Sequence, residues 1–149
     1  IKKLLIMILT ILAVSLSAFF SQISFGAPAS QVSDVQLLAR AINGEARGEP
    51  YEGQVAVGAV ILNRVKSADF PNSIAGVIYQ PGAFTAVADG QINVPIDPKS
   101  TVVKAAQDAL NGWDPTYGCL YYWNPATATS KWIWSRKIVV KIGKHNFGK

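Results

Sequence analysis

Nearly every position between Glu52 and Lys66 is apolar; from Gln54 to Val65 the chain runs QVAVGAVILNRV. A helix that is apolar all round has no face for water and must be enclosed by its neighbours. The length of the segment and the charged residues at its ends fit a helix better than a strand, although its valines also suit a sheet. The expected molecule is therefore built around one buried central helix.

The flanking segments supply what encloses it. Ser33-Asp34-Val35-Gln36 has the spacing of a capping box, in which the Ser hydroxyl takes an orphan amide and the Gln reaches back. Apolar residues follow at 35, 38, 39, 42 and 46, a helical stripe that Gly48 and Pro50 bring to an end. Pro71-Asn72-Ser73 opens a short helix through Ile78, and Gln80-Pro81-Gly82 turns the chain into a loop holding Phe84 and Asp89-Gly90. Asp97-Pro98 is expected to cap a fourth helix, with Val102, Ala105, Ala106 and Ala109 as its face and Gly112 as its stop. Beyond Gly112 the texture changes. Cys119–Trp123 and Ile138–Ile142 are short β-branched or aromatic runs that suit strands, separated by a turn-rich NPATATS. Helices first and a small C-terminal antiparallel sheet last give the fold class α+β.

Lys2 and Lys3 precede an apolar run from Leu4 to Phe20 broken only by Thr10, Ser15 and Ser17. This has the basic and apolar regions of a secretory signal, with small residues at Ser24, Gly26 and Ala27-Pro28-Ala29 for cleavage. Residues 1–29 are thus expected to be a signal peptide and 30–149 a single functional domain that is exported, with no stable membrane insertion once the signal is removed. An uncleaved anchor is the alternative, because the run approaches the length that spans a bilayer.

Charge and cysteine count narrow the chemistry. The chain carries 14 Lys+Arg against 9 Asp+Glu, for a net charge of +5, so anionic partners are favoured over cationic ones. No acid follows Asp114, whereas Lys131, Arg136, Lys137, Lys141, Lys144 and Lys149 do; the basic excess is a C-terminal feature suited to weak adhesion to an anionic wall polymer. Nucleic acid would fit the charge but not the export signal. One Cys and one His exclude a disulfide framework and zinc sites built mainly from those residues.

Glu45 is the acid out of place. At about 100° per residue it lies about 20° from Leu38 and about 60° from Ile42, inside the apolar stripe. A carboxyl held against apolar surface loses solvation of its charged form and can keep a proton near neutral pH, which is what a general acid at a glycosidic oxygen requires. Alternatively, Glu45 pairs with Arg47 at a fraying helix end or leans into water. Glu49 lies past the helix end beside Pro50, and Glu52 is most simply an acid set against a helix dipole. The aromatics Phe84, Tyr117, Tyr121, Tyr122, Trp123, Trp132 and Trp134 can stack on sugars or fill a core, and strand alternation puts Tyr121 and Trp123 on one face and Tyr122 on the other. That alternation implies that they do not all contact one ligand. Cys119 and His145 could form a thiol peptidase dyad, but Cys119 begins an apolar strand without a neighbouring cation.

The stretch ARAINGEARGEPYEGQVAVGAVILNRV, followed by FPNSIAGVIYQPGAFTAV, YYWNPATATSKWI and IGKHNFGK, resembles the catalytic domain of bacterial spore cortex-lytic enzymes and related cell-wall hydrolases. These ordered blocks cover nearly all of 34–149. The resemblance implies a lysozyme-like, transglycosylase-type domain whose substrate is the peptidoglycan glycan strand, acting in the cell wall or the spore cortex. It also implies that the first Glu of the family's GEARGE block, here Glu45, is the catalytic acid. Accessory wall or spore proteins are further partners it allows, and its chemistry asks for no metal and no cofactor. Gln54, Phe84, Tyr122 and Asn124 are expected near the glycan, as polar or aromatic groups between helix and sheet. With no second carboxylate evident, anhydro-ring closure is expected rather than hydrolysis. A non-catalytic wall-binding module is the alternative of a different class.

Overall fold

The computed structural model describes residues 32–149; the expected signal peptide lies outside the described residues. Among the described residues six α-helices and three strands follow in the order α1 (Asp34–Ala46), α2 (Tyr51–Lys66), α3 (Ile74–Ile78), α4 (Thr85–Ala88), α5 (Thr101–Leu110), β1 (Tyr121–Trp123), α6 (Lys131–Trp134), β2 (Ile138–Ile142) and β3 (His145–Gly148), with a short 3-10 helix, Gln91–Asn93, between α4 and α5. The class is α+β, as expected.

The central helix is α2. Residues Gly53 to Ile61 along it are all buried, and α1 and α5 pack on it and on each other. Leu38 and Ile42 of α1, Val55, Val57, Val60 and Ile61 of α2, and Val102, Val103, Ala105 and Ala106 of α5 form the heart of the core. Burying such side chains contributes about 1.5–3 kcal/mol each for the larger aliphatics, which fixes the three-helix arrangement on which everything else is mounted.

Local signals differ from expectation in instructive ways. Ser33 does cap α1, its hydroxyl accepting from the Gln36 amide at 3.2 Å. Gln36 does not reach back, because its side chain is occupied by Ile96: Oε1 accepts from the Ile96 amide at 2.7 Å and Nε2 donates to the Ile96 carbonyl at 3.1 Å. Helix α5 starts at Thr101 with Ser100 as cap. Asp97 is unavailable for that role since its carboxylate accepts from the Lys99 amide at 2.8 Å, closing a turn before the helix begins.

The sheet has the order β1-β3-β2 and is antiparallel throughout. Its central strand, β3, is one that the sequence pattern did not reveal. His-Asn-Phe-Gly has little strand propensity, yet all four residues are buried, because β3 is covered on both faces and paired on both edges. β1 is shorter than expected. The Cys119 amide is taken by the Thr116 hydroxyl at 3.1 Å, and the Cys119 and Leu120 carbonyls accept from Asn63 at 3.1 Å and Arg64 at 2.8 Å, so ladder pairing starts at Tyr121.

Those two bonds attach the sheet to the end of α2, and Asp114 completes the joint. Its carboxylate accepts from Asn63 at 2.9 Å, from the Thr116 amide and hydroxyl at 2.8 and 2.6 Å, and from the Gly118 amide at 2.8 Å. Burial works against its charge, but these hydrogen bonds outweigh that and hold the Asp114 carboxyl below its ordinary range.

Candidate active site

Helix α1 delivers Glu45 in its last turn, half-buried, and Gly44 beside it permits the close approach of α4: a Cβ at Gly44 would stand 2.6 Å from that of Ala86. Strand β1 delivers Tyr122 from the other side. The Tyr122 hydroxyl donates to Glu45 Oε2 at 2.8 Å. Burial, then the charge of Glu45 and its acceptance of the proton, pushes the Tyr122 phenol well above its ordinary value, so the phenol stays protonated and remains the donor.

Tyr122 also lines a groove of about 460 Å³ between the end of α2, the 80–83 loop and the β1–α6 region. The volume is that of a typical small-ligand cleft. Tyr121 and Trp132 meet edge-to-face at 4.9 Å in its wall, and Phe70 packs on Tyr121 at 6.3 Å. Arg64 lines it as well, its guanidinium 5.2 Å from the Phe70 ring centre and 5.8 Å from that of Tyr121. Burial draws the Arg64 guanidinium below its ordinary value, while Tyr122, Tyr121 and Glu45 pull it back. Among the described residues its only hydrogen bond is from Nε to Leu120, which leaves the fork ends open to an acceptor in the groove. Both Tyr121 and Tyr122 line this groove although strand alternation points them to opposite faces, and β1 is an edge strand of the sheet.

The other expected site residues are placed differently. Phe84 is only 3% exposed and belongs to the core. Gln54 is buried in the first turn of α2, its amide donating to the Glu49 carbonyl at 3.2 Å. Asn124 turns the chain after β1, its side-chain oxygen accepting from the Ala126 amide at 2.9 Å. Trp123 is buried, whereas Tyr117 and Trp134 are exposed outside the groove lining. The Cys119 thiol is fully buried, donates to the Thr116 carbonyl at 3.0 Å, and is pushed up by burial, which is the reverse of what a thiolate nucleophile needs. His145 has other neighbours: the Tyr122 ring at 5.3 Å and Glu49 Oε1 at 3.9 Å.

Arg64 went unnoticed in the sequence, although a cation near the end of an otherwise apolar helix was a visible signal. Glu49 was underrated. Its side chain is only 8% exposed, and its Oε2 accepts from the Lys144 amide at 2.9 Å, pinning the β2–β3 turn to the α1–α2 connection. Among the described residues, no group of His, Cys, Asp and Glu is arranged to hold a metal ion.

The family model described as Cell Wall Hydrolase matches residues 48–148. The chain belongs to that family. Its similarity to the spore cortex-lytic enzyme of Bacillus cereus is 65% identity over 117 residues, covering 78% of this chain and 44% of that protein. The chain therefore spans less than half the length of this curated relative. Among solved structures, the catalytic domain of the Bacillus cereus SleB protein superimposes with a TM-score of 0.74 at 65% identity, covering 78% of this chain and 89% of that one. The catalytic domain of the germination-specific lytic transglycosylase SleB from Bacillus anthracis gives 0.76 at 62% identity, covering 83% and 98%. Among the described residues of this cell-wall hydrolase, no helix is long and apolar enough to cross a membrane.

Proposed function

We propose that this chain cleaves the glycan strands of spore cortex peptidoglycan as a lytic transglycosylase, with Glu45 as the proton donor. The observation that carries this is the hydrogen bond from Tyr122, a groove residue, to Glu45. Membership of the cell-wall hydrolase family and the likeness to a lytic transglycosylase at 62% identity support it. The protein acts after export, on the wall or cortex, with residues 1–29 removed as a signal.

Glu45 gives its proton to the oxygen between N-acetylmuramic acid and N-acetylglucosamine as the bond to the muramic anomeric carbon breaks. The muramic 6-hydroxyl then attacks that carbon and returns its proton to Glu45, closing a 1,6-anhydro ring without water. Glu45 meets the groove through Tyr122 rather than within its lining, and Glu49, the next acid along the chain, is bound to the β2–β3 turn. With Glu49 so engaged, the next acid in the chain is not free to serve as a second carboxylate, which favours ring closure over hydrolysis. Tyr122 keeps Glu45 in place, Tyr121 and Trp132 offer aromatic surface to sugar faces, and Arg64 offers donors to acetamido or carboxyl oxygens. Phe84, Gln54 and Asn124 support the site rather than touch the glycan, a reading favoured by the burial of Phe84 and Gln54 and by the turn that Asn124 closes.

The test is Glu45→Gln in the purified protein. Release of soluble fragments from peptidoglycan should fall by about 10²–10⁴, the usual contribution of a positioned acid. Unchanged release would remove Glu45 from the mechanism, and wall binding without any release by the native protein would favour a binding module instead. Mass spectrometry of the products should find anhydro ends, lighter by one water; reducing ends alone would exclude the transglycosylase route.

A further inference from the structure

Glu49 and His145 form a buried pair that the proposed chemistry does not use. The side chains are 8% and 10% exposed, and Glu49 Oε1 lies 3.9 Å from His145 Nδ1. Among the described residues that nitrogen has no hydrogen-bond partner. The separation is too long for a hydrogen bond and short enough for a small ring movement to make one. The same imidazole stands edge-on to the Tyr122 ring, with centroids 5.3 Å apart and planes at 74°, and edge-on to Phe147 at 6.2 Å. Since Phe147 is the register partner of Tyr122, the three rings share one face of the sheet. A continuous line of contacts thus runs from Glu49 through His145 and Tyr122 to Glu45.

We propose that His145 is a positioning residue: its neutral imidazole braces Tyr122 against Glu45, and its protonation draws Nδ1–H onto Glu49, turns the ring away from Tyr122 and sets the acid limb of the activity profile. This rests on Glu45 being the proton donor. The groups facing the ring are Glu49 from the α1–α2 connection, Glu45 from α1 and Tyr122 from β1; Lys144 precedes it with an exposed side chain. Burial holds the imidazole below its ordinary value against the pull of Glu49 and Glu45, so it is neutral at pH 7. The clamp beside it is closely packed. Glu49 fixes the Lys144 amide, and a Cβ at Gly143, whose φ is +56°, would overlap the Glu49 carboxylate.

The chain contains one histidine, so its Hε1 proton can be followed in NMR without another imidazole to confuse it. The experiment follows that signal against pH in the whole protein and, in parallel, measures fragment release from peptidoglycan for native protein, His145→Gln and Glu49→Gln. Expected are a His145 midpoint coincident with the native acid limb, and a limb moved to lower pH in His145→Gln. In Glu49→Gln both the imidazole midpoint and the limb move to lower pH, because the acid that favours protonation is gone. An unchanged limb in folded His145→Gln, or a His145 midpoint that differs from the native limb, overturns the proposal. Should His145→Gln fail to fold, Glu49→Gln and the native titration decide it alone. Full activity in Glu45→Gln would instead sink the proposed function, while the NMR coupling of His145 to Glu49 would still be readable in that variant.

Discussion

Glu45 and Glu49 leave the same helix end four residues apart, and the sheet sends them to different environments. Glu45 receives a phenol from a residue that lines an open groove. Glu49 receives a main-chain amide in a closed turn and is nearly withdrawn from solvent. Two acids of equal intrinsic chemistry thus separate into one held beside a groove residue, the proposed proton donor, and one that fastens a hairpin. The difference lies in the partner strand rather than in the helix: β1 presents a side-chain hydroxyl, and the β2–β3 turn presents backbone.

The sharpest way to break this contrast is to remove each acid's function and ask what is lost. Glu45→Gln should cost activity by about 10²–10⁴ in fragment release while leaving the thermal midpoint nearly unchanged; a large drop in the midpoint would mean that Glu45 is structural too. Tyr122→Phe keeps the ring but removes the donor. A hydrogen bond to a charged group contributes about 1.5–3 kcal/mol, so release should fall by roughly 10- to 100-fold, and no change would show that the hydroxyl does not position the acid.

On the Glu49 side, Gly143→Ala places a Cβ at positive φ against the carboxylate, for an expected loss of about 1–3 kcal/mol in denaturant unfolding. Native stability in that variant would show that the turn is not clamped. The smallest effect concerns pH. Because His145 is held below its ordinary value, the unfolded chain takes up a proton that the folded chain refuses as pH falls through the ordinary histidine range. Stability should therefore decline on that descent and be fully present above it; His145→Gln should flatten this part of the thermal-midpoint profile, and an unaltered slope would place its origin elsewhere.

How far these features were legible varies with the range of the interaction that makes them. The buried character of α2 followed from its composition, and the apolar stripe that includes Glu45 followed from helical spacing; both depend on residues within a few positions of one another. Caps were half legible. Ser33 behaves as its sequence says, while Gln36 is claimed by Ile96, distant in sequence, and Asp97 is claimed by its own turn. Phe84 looked like a groove residue and is a core residue, because whether an aromatic ring meets a sugar or a helix is decided by what packs over it.

The sequence by itself determined the helices α1, α2, α3 and α5, the acid inside an apolar stripe and the α+β class, since these arise from periodicity and from the cost of exposing apolar surface, whereas the one-turn helices α4 and α6 fall where the sequence reads as loop and turn. Only the tertiary structure decided that His-Asn-Phe-Gly forms the central strand, that Tyr122 rather than Asn124 meets Glu45, and that Glu49 closes a turn. Each of those depends on strand register and on groups brought together across 23 to 95 positions of chain, where one residue of slip would turn every side chain to the other face.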